Sequence, residues 1–270
     1  MLVFPSAKIN LGLHINAKLP NGFHEIETVF YPVDTFSDIL EIIPANKPNY
    51  SFQQSGIIIE NKTDINLVEK AYLLMREIYN LPPVDIFLYK NIPVGAGLGG
   101  GSSDAASALK LLNTLFQLNL SLETLKEYAS QLGSDCSFFI DNIAAIGHGK
   151  GDELQPCSIP QLSGKYLVVV TPEVFISTAQ AYKLCQPMKK TASLSEIISQ
   201  PLQQWKDILI NDFEKTLFPY YPQLQKIKED LYHQGAVYAS LSGSGSSLYG
   251  IFEEKPIRLS ISSNTVHSRF

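Results

Sequence analysis

PVGAGLGGGSSDAAS, from Pro93 to Ser107, sets Gly95, Gly97, Gly99, Gly100 and Gly101 in quick succession ahead of a helical pattern. Residues without side chains let the backbone approach an anion closely, and a following helix N-terminus adds its orphan N–H donors and roughly half a positive charge. Phosphate is the natural guest. A Walker A loop requires Lys where Gly101 stands, so that scheme fails at a residue that touches phosphate. Gly95, Gly97 and Gly100 satisfy GxGxxG, with Glu123 near the spacing of a ribose-binding acid, which leaves a nicotinamide-dependent oxidoreductase as an alternative. Against it, a dinucleotide-binding strand is almost continuously apolar, whereas Val84 to Lys90 alternates in part and carries charge. Glu123 also follows Ser121 at a helix start, where the dipole alone favours an acid. A flexible Gly/Ser linker fits poorly between a strand and a capped, alanine-rich helix.

A second group of polar residues lies near the start of the chain. Ala7, Ile9, Leu11, Leu13 and Ile15 alternate with Lys8, Asn10, Gly12 and His14, the period-2 signature of a half-buried strand. Lys8, Asn10 and His14 then share one face, which taken alone would read as an ordinary solvated surface. Asp135 stands just past a helix stop at Gly133 and, taken alone, would read as a turn or N-cap residue. His24-Glu25 begins like a zincin motif, but Thr28 occupies the place of the second histidine, so no zinc site is expected.

The elements that must position these residues follow from the same patterns. Phe23 to Tyr31 and Asp38 to Ile43 read as strands after a Pro20-Asn21-Gly22 turn. Asn66 with Glu69 forms a possible capping box for a helix over 67–79, and Val84 to Lys90 returns to strand. The helix after the glycine loop takes Ser102 or Ser103 as its cap, and another runs from Ser121 to Leu132. Pro156 to Gly164 is rich in Pro, Ser and Gly without periodicity, which sets a boundary between domains at 1–157 and 158–270. Beyond it come a strand at 165–171, helices near Ser177, Leu194 and Pro222 to Gln234, and strands at 236–241 and 247–252.

Composition bounds the partners. Of 270 residues, 45% are hydrophobic and 17% charged, enough for a buried core and inconsistent with disorder. Lys and Arg number 21 against 26 Asp and Glu, a net charge of −5 without a basic block, so neither nucleic acid nor a membrane surface is an expected partner. Three widely spaced cysteines, Cys136, Cys157 and Cys185, offer neither a disulfide framework nor a CxxC motif, which suits a reducing, cytoplasmic setting. No stretch approaches the ~20 apolar residues of a membrane span, and the start does not read as a signal peptide. No sequence feature specifies an oligomeric state.

Three blocks together, SAKINLGLHI (Ser6 to Ile15), PVGAGLGGGSSDAAS and LSGSGSSLYG (Leu241 to Gly250), make the chain resemble the galactokinase, homoserine kinase, mevalonate kinase and phosphomevalonate kinase (GHMP) superfamily. NGFHEIETVF (Asn21 to Phe30), LGSDCSFF (Leu132 to Phe139) and NDFE (Asn211 to Glu214) make it most similar to the branch acting on 4-diphosphocytidyl-2-C-methyl-D-erythritol, in the non-mevalonate isoprenoid route. The resemblance implies an α+β, two-domain fold, with an N-terminal domain like domain 2 of ribosomal protein S5 and a ferredoxin-like C-terminal domain. It implies an ATP- and Mg2+-dependent kinase that phosphorylates the tertiary hydroxyl of that small-molecule substrate; another kinase of the superfamily, or a phosphate-binding module without catalysis, remains the competing reading. By position, Lys8 and Asp135 are implied as catalytic, with Lys8 lying beside Asp135. Pro93, Val94, Gly95, Ala96, Gly97, Leu98, Gly99, Gly100, Gly101, Ser102 and Ser103 are implied as ATP-binding. Asn10, Phe23, His24 and Tyr182 are implied for the substrate, Phe23 and Tyr182 sandwiching the cytosine and His24 pairing with its edge. The magnesium ligands are not readable. The chain departs from the family at Phe23, often Tyr, and at Ser134, commonly Ala.

Overall fold

The computed structural model describes residues 1–57, 65–256, 261 and 263–270. In chain order the strands and helices begin with β1 (Leu2–Val3), β2 (Ser6–Lys18), β3 (His24–Ser37), β4 (Ile39–Pro44), β5 (Ser51–Gly56), α1 (Leu67–Tyr79) and β6 (Val84–Lys90). The glycine loop leads to α2 (Gly100–Leu115), α3 (Leu122–Leu132), α4 (Phe138–Asp141), β7 (Ala145–His148), β8 (Glu153–Pro156) and β9 (Tyr166–Thr171). The chain continues through α5 (Thr178–Leu184), α6 (Leu194–Ile198), α7 (Trp205–Ile208), α8 (Asp212–Leu217), α9 (Pro222–His233), β10 (Tyr238–Leu241), β11 (Leu248–Phe252) and β12 (Asn264–Arg269).

These elements gather into two compact units that do not follow the chain. One comprises 1–7, 36–94 and 99–143; the other comprises 8–35, 95–98 and 144–270. The change of composition at 157/158 lies within the second unit.

The first unit is a sheet of order β1-β4-β6-β5 with α1 to α4. Alternation builds it: Val84, Ile86 and Leu88 of β6 are buried, and Leu40 and Ile42 pair with Leu88 and Ile86 across β4. Each such side chain contributes about 1.5–3 kcal/mol when fully removed from water. The expected capping box holds α1, with Asn66 Oδ1 accepting from Val68 N–H at 2.9 Å and Glu69 reaching back to Asn66. α2 departs from expectation. Its N-cap is Gly99, at φ 70°, and Ser102 and Ser103 lie inside the helix rather than capping it. A left-handed cap is a conformation glycine adopts without steric cost, so the loop's last turn takes over the capping position. Gly133 closes α3 at φ 174°, extended backbone rather than the left-handed stop expected of it.

The second unit contains a sheet of order β2-β3-β7-β8 and an antiparallel sheet of order β10-β11-β9-β12. Numbered along the chain from β9, the second sheet runs 4-1-3-2, the strand order of a ferredoxin-like sheet. Its core joins distant sequence: Leu13, Ile15 and Ile26 cluster with Val168, Phe213 and Leu224.

Candidate active site

In the second unit the glycine loop contributes 95–98, and its carbonyls are turned into the protein. Ala96 O accepts from Ser247 N–H at 3.0 Å and Leu98 O from Lys8 N–H at 2.9 Å. Gly97 O accepts twice, from the Lys8 ammonium at 3.1 Å and the Ser242 hydroxyl at 2.9 Å. In a trans peptide the following N–H points opposite its carbonyl, so the N–H groups of Gly97, Leu98 and Gly99 face the other way, as a row of donors. Gly95, Gly97 and Gly99 have φ of 68°, 78° and 70°, and alternation of left-handed residues with ordinary ones is the pattern that curves such a row around an anion.

Lys8 rises from β2 into this arrangement. Only 3% exposed, its ammonium also donates to Asn10 Oδ1 at 2.5 Å and lies 5.3 Å from the centroid of Phe30, whose ring face attracts a cation. Asn10 is 2% exposed, and its Nδ2 donates to Thr28 Oγ1 at 2.9 Å. Thr28 in turn donates to Gly12 O at 2.7 Å. The Asn10 backbone is gripped too, its N–H by Ser242 Oγ at 3.3 Å and its carbonyl by Tyr249 O–H at 2.8 Å. Asn10 thus holds Lys8 in place with both ends of its amide engaged. His14 is buried as well, with Nδ1 3.7 Å from Glu27. Burial opposes ionisation of Glu27, but the His14 imidazole and the Leu194 N–H hold its carboxyl below the usual range. The face that alone would read as solvated is therefore buried.

The aromatic residues expected around a base are arranged differently from the sequence reading. His24 stacks on Tyr182, with centroids 4.8 Å apart and planes 20° apart, and Tyr182 meets Phe213 edge-on at 4.9 Å. Phe23 is 53% exposed, with Lys150 Nζ 5.2 Å from its ring centroid. Burial lowers the His24 pKa, and Lys18 lowers it further.

In the first unit, α2 starts at Gly100, next in sequence after the N-cap Gly99. Ser103 is 2% exposed, Gly101 is open, and the Ser102 hydroxyl and the Cys136 thiol both lie beside Gly133. The helix start is thus close to the turn that carries Asp135, which is half-buried. Burial pushes the Cys136 thiol up to about 11, so it stays protonated and takes no part as a nucleophile. The first unit also holds a buried ion cluster. Lys90 pairs with Asp38 and, at 2.7 Å, with Asp104 of α2; Asp38 also accepts the N–H groups of Asn91 at 2.6 Å and Ile92 at 2.8 Å. Two carboxylates against one ammonium leave a surplus charge. Burial and the nearby Asp38 push Asp104 up to about 7 despite Lys90, and its Oδ1 has no hydrogen-bond partner.

Sequence reasoning missed this cluster, although Lys90 completes the inward series Val84, Ile86, Leu88 and was readable as a buried lysine. It also missed Thr28, Ser242 and Tyr249, which no spacing marks as partners of the first block. Among the described residues, no group of three or more His, Cys, Asp or Glu gathers around a possible ion, and no helix is long and apolar enough to cross a membrane.

Residues 66–150 match the family described as GHMP kinases N terminal domain, and 191–261 match GHMP kinases C terminal. A 4-diphosphocytidyl-2-C-methyl-D-erythritol kinase of Bacteroides fragilis is 52% identical over 259 residues, 94% of each chain. A crystal structure of 4-(cytidine 5'-diphospho)-2C-methyl-D-erythritol kinase, 29% identical, superposes with a TM-score of 0.78 over 93% of this chain and 90% of that one. Methanococcus jannaschii mevalonate kinase, at 14% identity and a TM-score of 0.73 over 100% and 98% of the two chains, shares the fold.

Proposed function

The chain belongs to the GHMP kinase family, among its 4-diphosphocytidyl-2-C-methyl-D-erythritol kinases, and on that premise we propose that it transfers the γ-phosphoryl group of ATP to the tertiary 2-hydroxyl of that substrate. The observation that carries the phosphoryl chemistry is the loop whose three consecutive carbonyls are held inward and whose N–H groups are turned outward. The nicotinamide-dependent alternative is not favoured: β6 alternates buried residues with half-buried or exposed ones, unlike a dinucleotide-binding strand.

In this reading the backbone of 95–101 and the start of α2 cradle the triphosphate, with Pro93, Val94, Ser102 and Ser103 completing its surroundings. Lys8, held by Asn10 and Gly97 O, stabilises negative charge on the transferring group. Asp135 orients the hydroxyl and accepts its proton late, as suits a loose transition state. A bound magnesium ion would supply positive charge to the triphosphate. A metal held chiefly by phosphates and water needs few protein ligands, which agrees with the donor set here, the half-exposed Ser102 hydroxyl being one candidate. Tyr182 and Phe23 take the cytosine between them with His24 at its polar edge, which requires His24 to leave its stack on Tyr182. The matches at 66–150 and 191–261 support a division of the sequence into domains at 1–157 and 158–270. Three unpaired cysteines support a place in the reducing cytoplasm.

ADP release with ATP, magnesium and the cytidylated alcohol tests this, with mevalonate and homoserine as competing acceptors. Release that depends on the cytidylated alcohol, with a monophosphorylated product by mass, is expected; equal release with either competitor would refute the substrate. Stacking is worth ~1–3 kcal/mol per base, so Tyr182→Ala is expected to weaken cytidine diphosphate about tenfold by calorimetry. Unchanged affinity would remove Tyr182 from the site.

A further inference from the structure

NDFE sits at the start of α8, where the simplest account of Asn211 is a helix cap: its Oδ1 accepts from Phe213 N–H at 3.0 Å. The other end of the amide does something capping does not require. Nδ2 donates to two carbonyls of the third glycine-rich block, Leu241 O at 2.8 Å and Gly243 O at 2.9 Å, and the side chain is 0% exposed. Glu214, one turn on, holds the same segment from its N–H side. Its Oε1 accepts from Leu241 N–H at 2.8 Å and the Ser240 hydroxyl at 3.0 Å, while Oε2 takes Lys228 Nζ at 2.6 Å.

Between the two gripped points lies Ser242. Its hydroxyl accepts from Asn10 N–H at 3.3 Å and donates to Gly97 O at 2.9 Å, the same oxygen that receives the Lys8 ammonium at 3.1 Å. Closeness is enforced on both sides: a Cβ on Gly97 would overlap the Ser242 carbonyl, and one on Gly243 would meet Asn10 Oδ1 at 3.1 Å. Lys8, Asn10 and the glycine loop therefore share their anchoring with a segment that is itself fixed by Asn211 and Glu214.

We propose that Asn211 and Glu214 are positioning residues for phosphoryl transfer: by clamping Leu241–Gly243 they fix the Ser242 hydroxyl against Gly97 O and so set the place of the Lys8 ammonium. This rests on the kinase reading above. Buried polar groups that lose a partner carry their full desolvation cost, so the clamp has one satisfied arrangement rather than several.

Asn211→Asp isolates the clamp from the cap, because Asp caps a helix as well as Asn but offers acceptors where the two carbonyls need donors. Misplacement of a reacting group by about 1 Å costs on the order of 10²-fold, so kcat is expected to fall roughly 10- to 100-fold, with cytidine diphosphate affinity within about twofold of wild type. Ser242→Ala removes the final link without touching α8 and is expected to lower kcat in the same direction, by about 3- to 10-fold. An unchanged kcat in folded Ser242→Ala, or parallel loss of kcat and cytidine diphosphate affinity in Asn211→Asp, would overturn the clamp. The Lys8 side-chain NMR resonance, assigned with Lys8→Arg, gives a readout independent of the acceptor. It should move in both variants and stay still in Gln225→Ala, on the exposed surface of α9. A stationary Lys8 signal would sink the clamp even if the wild-type chain proved to phosphorylate a different alcohol.

Discussion

The Lys8 ammonium donates to Asn10 Oδ1 at 2.5 Å and to Gly97 O at 3.1 Å, which fixes where its charge sits. Lys8→Ala and Asp135→Asn are each expected to lower kcat by about 10² or more while leaving ATP-analogue affinity within a few-fold, the pattern of groups that act in the transition state. Near-normal turnover in either variant would strike that residue from the reaction. Asp104 makes a different prediction. Folded, its carboxyl holds a proton to about pH 7; in the unfolded chain the proton leaves near ~4. The folded state therefore binds more protons between these values. That contribution to stability is fully present below ~4 and is lost as pH rises through 7. Urea midpoints measured from pH 5 to pH 8 should fall with pH in the wild type and fall less in Asp104→Asn. Equal slopes would show that Asp104 is ionised throughout.

At the scale of elements, the glycine loop keeps its shape because its carbonyls are occupied from two directions, β2 and the Leu241–Ser247 segment, while its left-handed glycines supply the turns. Gly97 cannot be replaced without moving this apparatus, since its φ is 78° and an added Cβ would collide with main chain rather than with a pliable side chain. A non-glycine residue in the left-handed region costs ~1–2 kcal/mol before any clash. Gly97→Ala is accordingly expected to weaken ATP-analogue binding by at least about tenfold and to lower the melting temperature as well. Full binding by calorimetry would mean that the donors of this loop do not hold the triphosphate. Elements with strong local signals were legible in the sequence: the capping box of α1, the alternation of β2 and β6, and the Gly-rich approach to α2. The short β7, β8, α4 and α7 were not, because four residues are too few for either periodicity to register. β12 and α8 escaped for a related reason, their faces being mixed and their places set by β9 and by the Leu241–Gly243 segment.

For the molecule as a whole, the core of the second unit takes Leu13, Ile15 and Ile26 from the start of the chain and Val168, Phe213 and Leu224 from its second half. A fragment of residues 158–270 would expose the apolar surface those three residues cover, and it lacks the strand that receives Ile210 and Asp212. It is expected to lose the near-ultraviolet signal of Trp205, which is 0% exposed in the full chain, and to bind a hydrophobic dye. A native-like spectrum would show that the C-terminal residues form a core unaided. What the sequence carried by itself was the family, through the three blocks, and the proposal of an anion site, since five glycines before a helix leave bare backbone whose amides can approach an anion closely. Which groups engage one another was left to the tertiary structure. Hydrogen bonds such as Asn10 N–H to Ser242, or Asn211 to Gly243 O, join residues that no local period relates, and only the folding of distant segments onto one core decides which donor meets which acceptor.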